Sequence, residues 1–257
     1  LSFFSEYFDI VESTEDQLVC CPFEHHTEGA GLPYLETNPS AHVNTMKKVF
    51  HCKACDKGYS ELQFLQEALG CNASNALRIL KTFDGAETEV AWANKKTLSA
   101  EGKALGNRLG ISDEVLTELQ AASPQGDEEA IQIPTFFYGQ LMDIRTYRPG
   151  GKPKVRGRSN SMVGLVMPYD IWRHTEPNRI TVICAGEKDM AIARSQGFNA
   201  ITITGGESML PRMLNDFKGR RIVICYDNDE AGRNGAKKLA IALQPYAEFV
   251  KVVSGFH

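Results

Sequence analysis

Arg221-Ile222-Val223-Ile224-Cys225-Tyr226-Asp227-Asn228-Asp229-Glu230-Ala231-Gly232-Arg233 is an apolar run that ends on two acids and opens directly into a helical pattern. Side chains two apart on a strand share a side, so Asp227 and Asp229 project together where the strand stops. Two carboxylates held side by side repel one another unless a cation joins them, and hard oxygen donors suit Mg²⁺ or Mn²⁺. The plainer alternative is an acidic loop in which Asp229 caps the following helix. Outward from this stretch, strands are predicted at Ile180 to Ala185, Asn199 to Thr204 and Phe249 to Val253. Helices are predicted at Met190 to Ser195, Ser208 to Phe217 and Ala231 to Leu243. Apolar strands alternating with helices imply an α/β fold with a parallel sheet covered on both faces, whose ligands sit at the carboxyl ends of the strands.

Upstream, Ile131 to Pro134 and Leu141 to Tyr147 read as a small sheet, and residues 84 to about 130 as a helical connector with Ser112 capping a helix. Ser123-Pro124-Gln125-Gly126-Asp127 is the clearest loop. Between Arg145 and Arg158 lie Arg145, Arg148, Lys152, Lys154, Arg156 and Arg158 with no acid among them, on a chain whose formal net charge is −4. Such a cluster fits a phosphate backbone, although charge runs are more often solvated loops. Gly205-Gly206 reads equally as a phosphate-approaching turn or a plain one. Trp92, Trp172 and Phe136-Phe137-Tyr138 are better read as core than as base-stacking surfaces.

The chain has 257 residues, 42% of them hydrophobic and 23% charged, the balance of a globular protein. No long apolar run suggests a membrane span, and Leu1-Ser2-Phe3-Phe4 lacks the basic start of a signal peptide. Seven cysteines, an odd number, do not suggest a secreted disulfide framework, so a cytoplasmic setting is expected. Cys52-Lys53-Ala54-Cys55 is a C-x2-C knuckle, and Cys21-Pro22-Phe23-Glu24-His25-His26 offers a third thiolate and an imidazole. Together Cys21, His25, Cys52 and Cys55 make a closed structural zinc shell. His26 for His25 and Cys20 for Cys21 remain open, and a redox pair is the competing reading. A helix is expected from Tyr59 to a stop at Gly70, and another from Ser74 to Phe83.

Cys21-Pro22-Phe23, a nearby histidine, Asn38-Pro39-Ser40 and Phe50-His51-Cys52-x-x-Cys55 resemble the zinc-binding module of bacterial and phage primases. That family places histidine directly after Cys-Pro-Phe, where this chain has Glu24. Val182-Ile183-Cys184-Ala185-Gly186-Glu187-Lys188-Asp189, together with Asp227 and Asp229, resembles the Toprim domain. Gly186 and Asp189 match its first motif, but the catalytic glutamate of the pattern falls on Ala185, which can neither bind metal nor move a proton. A third acidic motif is implied beyond Val253. Lys152-Pro153-Lys154 with Ser159-Asn160-Ser161 resembles the basic segment ahead of the sheet in phage primases.

The resemblance implies three parts: a zinc-ribbon-like module at 1–83, a helical connector with a small mixed sheet and the basic segment at 84–178, and a parallel-sheet Toprim domain at 179–257. It implies a DNA-directed primase making short RNA primers on single-stranded DNA by metal-dependent nucleotidyl transfer, impaired here by Ala185. Asp189, Asp227 and Asp229 would be its catalytic acids, with Asp227 and Asp229 holding magnesium or manganese. Arg145, Arg148, Lys152, Lys154, Arg156 and Arg158 would hold template and ribonucleoside triphosphate. The implied partners are template DNA, the triphosphates and a replicative helicase, in the host cytoplasm if phage-encoded. The alternatives are a Toprim nuclease and a non-catalytic template-binding module.

Overall fold

The computed structural model describes residues 2–23, 27–28, 32–33, 38–83, 97–158 and 162–253. The chain divides into two compact units, Leu1–Thr88 and Glu89–His257. His25, His26, Trp92 and 159–161 lie outside the described residues. No helix among the described residues is long and apolar enough to cross a membrane.

The first unit opens with α1 (Phe3–Phe8), whose N-cap Ser2 accepts from the Ser5 amide. Strands β1 (Gln17–Val19), β4 (Ala41–Asn44), β5 (Val49–Cys52) and β6 (Lys57–Ser60) form an antiparallel sheet in the order β1-β4-β5-β6. A two-stranded hairpin, β2 (Thr27–Glu28) and β3 (Leu32–Pro33), is inserted between the first two of these. In β5 the residues alternate, Val49 and His51 outward and Phe50 and Cys52 buried, so a core ring and a thiol share one face. Helix α2 (Glu61–Leu69) starts in a Ser60–Gln63 capping box and ends at Gly70, left-handed at φ 54°. That termination is the one the glycine predicts. Phe64 of α2 lies 5.1 Å from Phe4, 4.9 Å from Phe23 and 5.2 Å from Phe50 between ring centroids. Helix α3 (Ala73–Phe83) follows.

The second unit begins with α4 (Ala100–Arg108) and α5 (Asp113–Glu118), the latter capped by Ser112 as expected. Strands β7 (Ile131–Phe137), β8 (Gln140–Tyr147) and β9 (Val155–Arg156) make an antiparallel sheet. After β10 (Val166–Met167) and the short α6 (Tyr169–Trp172) come β11 (Thr181–Cys184), α7 (Glu187–Ser195), β12 (Asn199–Ile203), β13 (Arg221–Cys225), α8 (Glu230–Leu243) and β14 (Phe249–Val252). The main sheet runs β10-β12-β11-β13-β14, parallel except for β10. Every residue of β12 is buried, as befits a central parallel strand. Trp172, Phe137 and Tyr138 are buried too, which settles their role as packing.

The helix expected from Ser208 to Phe217 is a single 3-10 turn at Leu214–Phe217. Pro211 is the reason: it has no amide to donate, and its ring keeps the preceding residue out of the α region. Asp216 in that turn is partly exposed as a residue, yet its Oδ2 is enclosed and has no hydrogen-bond partner among the described residues. Burial pushes this carboxyl up to about 7, against the pull of a Tyr169 hydrogen bond and the Arg173 and Arg220 charges. The folded state thus binds the proton more tightly than the unfolded chain, so stability is greatest at low pH and falls as pH rises toward 7. Asp216→Asn should lose this slope: between pH 5 and 8 its melting temperature should rise relative to the parent's. Parallel profiles for the two proteins would show that the carboxyl is ionised throughout.

Candidate functional site

In the first unit, the ligand atoms of Cys21, Cys52 and Cys55 lie within 4.8 Å of one another. Cys52 ends β5, Cys55 lies in the turn to β6, and Cys21 is brought in by the segment whose Phe23 packs against Phe50, Tyr59 and Phe64. Burial and the two neighbouring thiols push the Cys21 thiol up. Burial also acts against the Cys52 thiolate, but bonds from the Ser40 hydroxyl and from Cys55 and Ala54 outweigh it and bring the thiol down to about 7. A two-cysteine redox motif has no use for a third converging thiol, whereas tetrahedral zinc does. The donor set therefore fits zinc. The fourth ligand expected at His25, with His26 as its alternative, lies outside the described residues.

In the second unit, β11 and β13 are neighbours in register, Cys184 opposite Cys225. The turns leaving them are consequently side by side at the carboxyl edge. Asp189 sits in the first turn of α7. Asp229 is the N-cap of α8, its Oδ1 accepting from the Gly232 amide at 2.7 Å, so the capping alternative is realised while the other carboxylate oxygen is left over. Asp227 precedes it on the same turn, beyond the end of β13. Lys188 places its ammonium 3.1 Å from Asp189, a contact that raises the lysine's affinity for its proton. Among the described residues only the cysteine trio gathers three ligand atoms within 4.8 Å, so the acids stand further apart than the thiols. Magnesium, which keeps several waters between itself and its protein ligands, fits such a spread of hard donors.

Ala185 is half-buried between the end of β11 and the N-cap Gly186. The nearby Glu187 does not stand in for the missing acid. It is buried and accepts from Arg145 Nε at 2.6 Å. Arg145 also reaches Asp143 Oδ2 at 3.4 Å, and its side chain is only 11% exposed. Asp143 is fully buried and takes amide bonds from Ile144 and Arg158 through Oδ1. Of the six basic residues, Arg145 is thus engaged inside the fold, and Arg148 pairs with Asp127. Arg148, Lys154, Arg156 and Arg158 line an open cleft of about 470 Å³ together with Gln132 and Thr146. Lys152 lies in the same loop, its carbonyl accepting from Arg156 Nη2.

Two participants escaped the sequence reading. Asp143 is one, because its partner Arg145 was taken for a surface charge. The other is Glu207, after Gly205-Gly206, whose Oε1 accepts from the Asp227 amide at 2.8 Å. Burial, followed by the Asp227, Asp229 and Asp189 charges, raises its carboxyl against the pull of that bond. The available signal was position: every loop leaving the carboxyl end of a parallel strand reaches this edge. Gly205 and Gly206 are left-handed at φ 101° and 94°, and no helix starts directly after them for a phosphate to cap.

Residues 2–96 match the family model described as "CHC2 zinc finger", and residues 182–254 match the one described as "Toprim-like". The chain thus joins a zinc ribbon of the CHC2 class to a Toprim-like domain. The chain is similar to a DNA primase: a curated relative from Campylobacter jejuni, named DNA primase, is 21% identical over 92% of this chain. The chain spans about half of that relative, 48% of its length. A crystal structure of the Aquifex aeolicus primase, comprising zinc-binding and RNA polymerase domains, shares the fold at a TM-score of 0.53 and 16% identity. That likeness covers 98% of this chain and 76% of the other.

Proposed function

We propose that the chain is the primase part of a replication protein, making short RNA primers on single-stranded DNA, and that Ala185 impairs its turnover. The observation that carries this reading is the strand register that sets the Asp189 turn beside the Asp227–Asp229 turn at one edge of a Toprim-like sheet. In this reading residues 1–83 engage the template, 84–178 carry the basic segment, and 179–257 form the transfer core. Asp189, Asp227 and Asp229 would hold Mg²⁺ or Mn²⁺. Bound there, the cations would supply a lowered pKa for the attacking 3′-hydroxyl and charge neutralisation for the leaving pyrophosphate.

The chain's own groups do the rest. Asp229, oriented by its helix cap, keeps its other oxygen for the cation. Lys154, Arg156 and Arg158 bind template and triphosphate phosphates, with Arg148 and Lys152 beside them, and this makes affinity fall with salt. Arg145 acts differently from its neighbours, by fixing Glu187 and Asp143 rather than touching phosphate. At the strand end, the Ala185 side chain itself offers the attacking hydroxyl no proton acceptor. A helicase, in the same chain or another, is the expected partner.

The loss of that acid favours a second reading, a template-binding module without turnover. Primer synthesis separates the two, with labelled ribonucleotides, Mn²⁺ or Mg²⁺, and the parent run beside Ala185→Glu. Oligoribonucleotides are expected at least tenfold more abundant with the glutamate, since positioned acid–base groups contribute about 10²–10⁴-fold. DNA cleavage by either protein would identify a nuclease. Salt-dependent binding with no chemistry from either would leave the template-binding module.

A further inference from the structure

We propose that Glu207 is a positioning residue for the metal-binding acids: its carboxylate anchors the Asp227–Asp229 turn, and two glycines of α8 exist to let it reach. This rests on the metal site proposed above and deepens it.

Three observations on different atoms agree. Glu207 Oε1 takes the Asp227 amide at 2.8 Å, a side-chain bond to the backbone of the turn itself. The turn's other ties come from α8: Arg233 Nη1 donates to the Asn228 carbonyl at 2.8 Å, and Asp229 caps the helix. Glu207 is therefore the tie from a different loop. Second, α8 is cut away where this loop lies. A Cβ on Gly232 would fall 2.1 Å from the Asp227 carbonyl oxygen and 2.9 Å from Glu207 Oε1. One on Gly235 would fall 2.3 Å from the Glu207 carbonyl oxygen. Any larger residue would displace backbone at both places. Third, Lys238 on the same helix donates to the Ser208 carbonyl at 3.2 Å, which holds the loop down on the far side of Glu207.

The loop after β12 is thus seated on α8, and the carboxylate that emerges from it fixes the turn carrying two of the three acids. A fourth negative charge beside Asp189, Asp227 and Asp229 is unfavourable by itself, so its retention needs a compensating bond, and the Asp227 amide supplies one. Glutamine offers the same acceptor without the charge, whereas alanine offers neither.

Mn²⁺ binding to the whole chain, followed by electron paramagnetic resonance of the free ion, tests the role without needing turnover. Glu207→Gln should bind within about twofold of the parent, and Glu207→Ala about tenfold or more weaker, the loss typical when a supporting partner of a metal ligand is removed. Equal weakening in both would overturn the proposal and make Glu207 a ligand through its charge. No weakening in either would make the bond incidental. Hydrogen exchange of the Asp227 amide is the companion measurement: protection should persist in Glu207→Gln and be lost in Glu207→Ala, with melting of the unit reported for each. If the parent binds no Mn²⁺, the proposed metal site fails, while the exchange result still decides whether Glu207 anchors the turn.

Discussion

Cys52→Ser is expected to remove stoichiometric zinc from the protein and to unfold the first unit. Cys52 is the buried member of the knuckle and lies on the same face of β5 as Phe50, so the metal shell and the aromatic core are two ends of one short strand. The core around Phe64 is small, and a module of this size gains little from area burial alone. Structural zinc contributes about 10–16 kcal/mol at neutral pH, more than such a core can supply. Elemental analysis should find one zinc per parent chain and close to none in the variant. Far-UV circular dichroism and proteolysis should show the loss confined to the first unit. Single replacements of His25 and His26 by alanine, measured the same way, will assign the fourth ligand. Full zinc retention in Cys52→Ser would mean that the three thiols meet for another reason.

The second large effect falls on Arg145. Arg145→Ala leaves the buried carboxylates of Glu187 and Asp143 facing one another without their shared cation. Breaking a buried pair in this way costs about 3–5 kcal/mol, whereas removing both partners costs less. Arg145→Ala should therefore lower the urea midpoint sharply, and Arg145→Ala with Glu187→Ala should recover part of the loss. Arg145→Lys should restore little, because one ammonium cannot span two carboxylates as a guanidinium fork does. If Arg145 served phosphates instead, the single replacement would weaken DNA binding and leave the urea midpoint in place.

The zinc ribbon and the parallel sheet were legible because their signals are local. A knuckle, a Cys-Pro-Phe turn and an Asp-x-Asp at a strand end each fit within a few residues, and the parallel direction of the strands follows from their alternation with helices. What escaped depends on partners distant in the chain. Arg145 looks like its basic neighbours until Glu187, 42 residues on, is brought against it. Glu207 follows two glycines that read as an ordinary turn, and its contact with Asp227 crosses 20 residues. The helix expected between Ser208 and Phe217, which does not form, is a different failure. Its apolar spacing was helical, and Pro211 overrode it. The two-residue β10 is too short for any periodic signal, so the direction it runs was not readable at all.

That direction has a consequence for how the chain is threaded. Val166 pairs with Ile203 and Met167 with Thr202, antiparallel, so the residues just before β10 lie level with the outgoing end of β12. The Gly164 amide bonds the Thr204 carbonyl at 2.7 Å, and the Arg212 amide bonds the Gly164 carbonyl at 2.9 Å. Had β10 run with its neighbours, the polypeptide arriving from Arg158 would have entered the sheet at the opposite rim, a full strand length from the acids. One reversed step thus brings the chain entering β10 to the rim where the loop carrying Glu207 leaves β12.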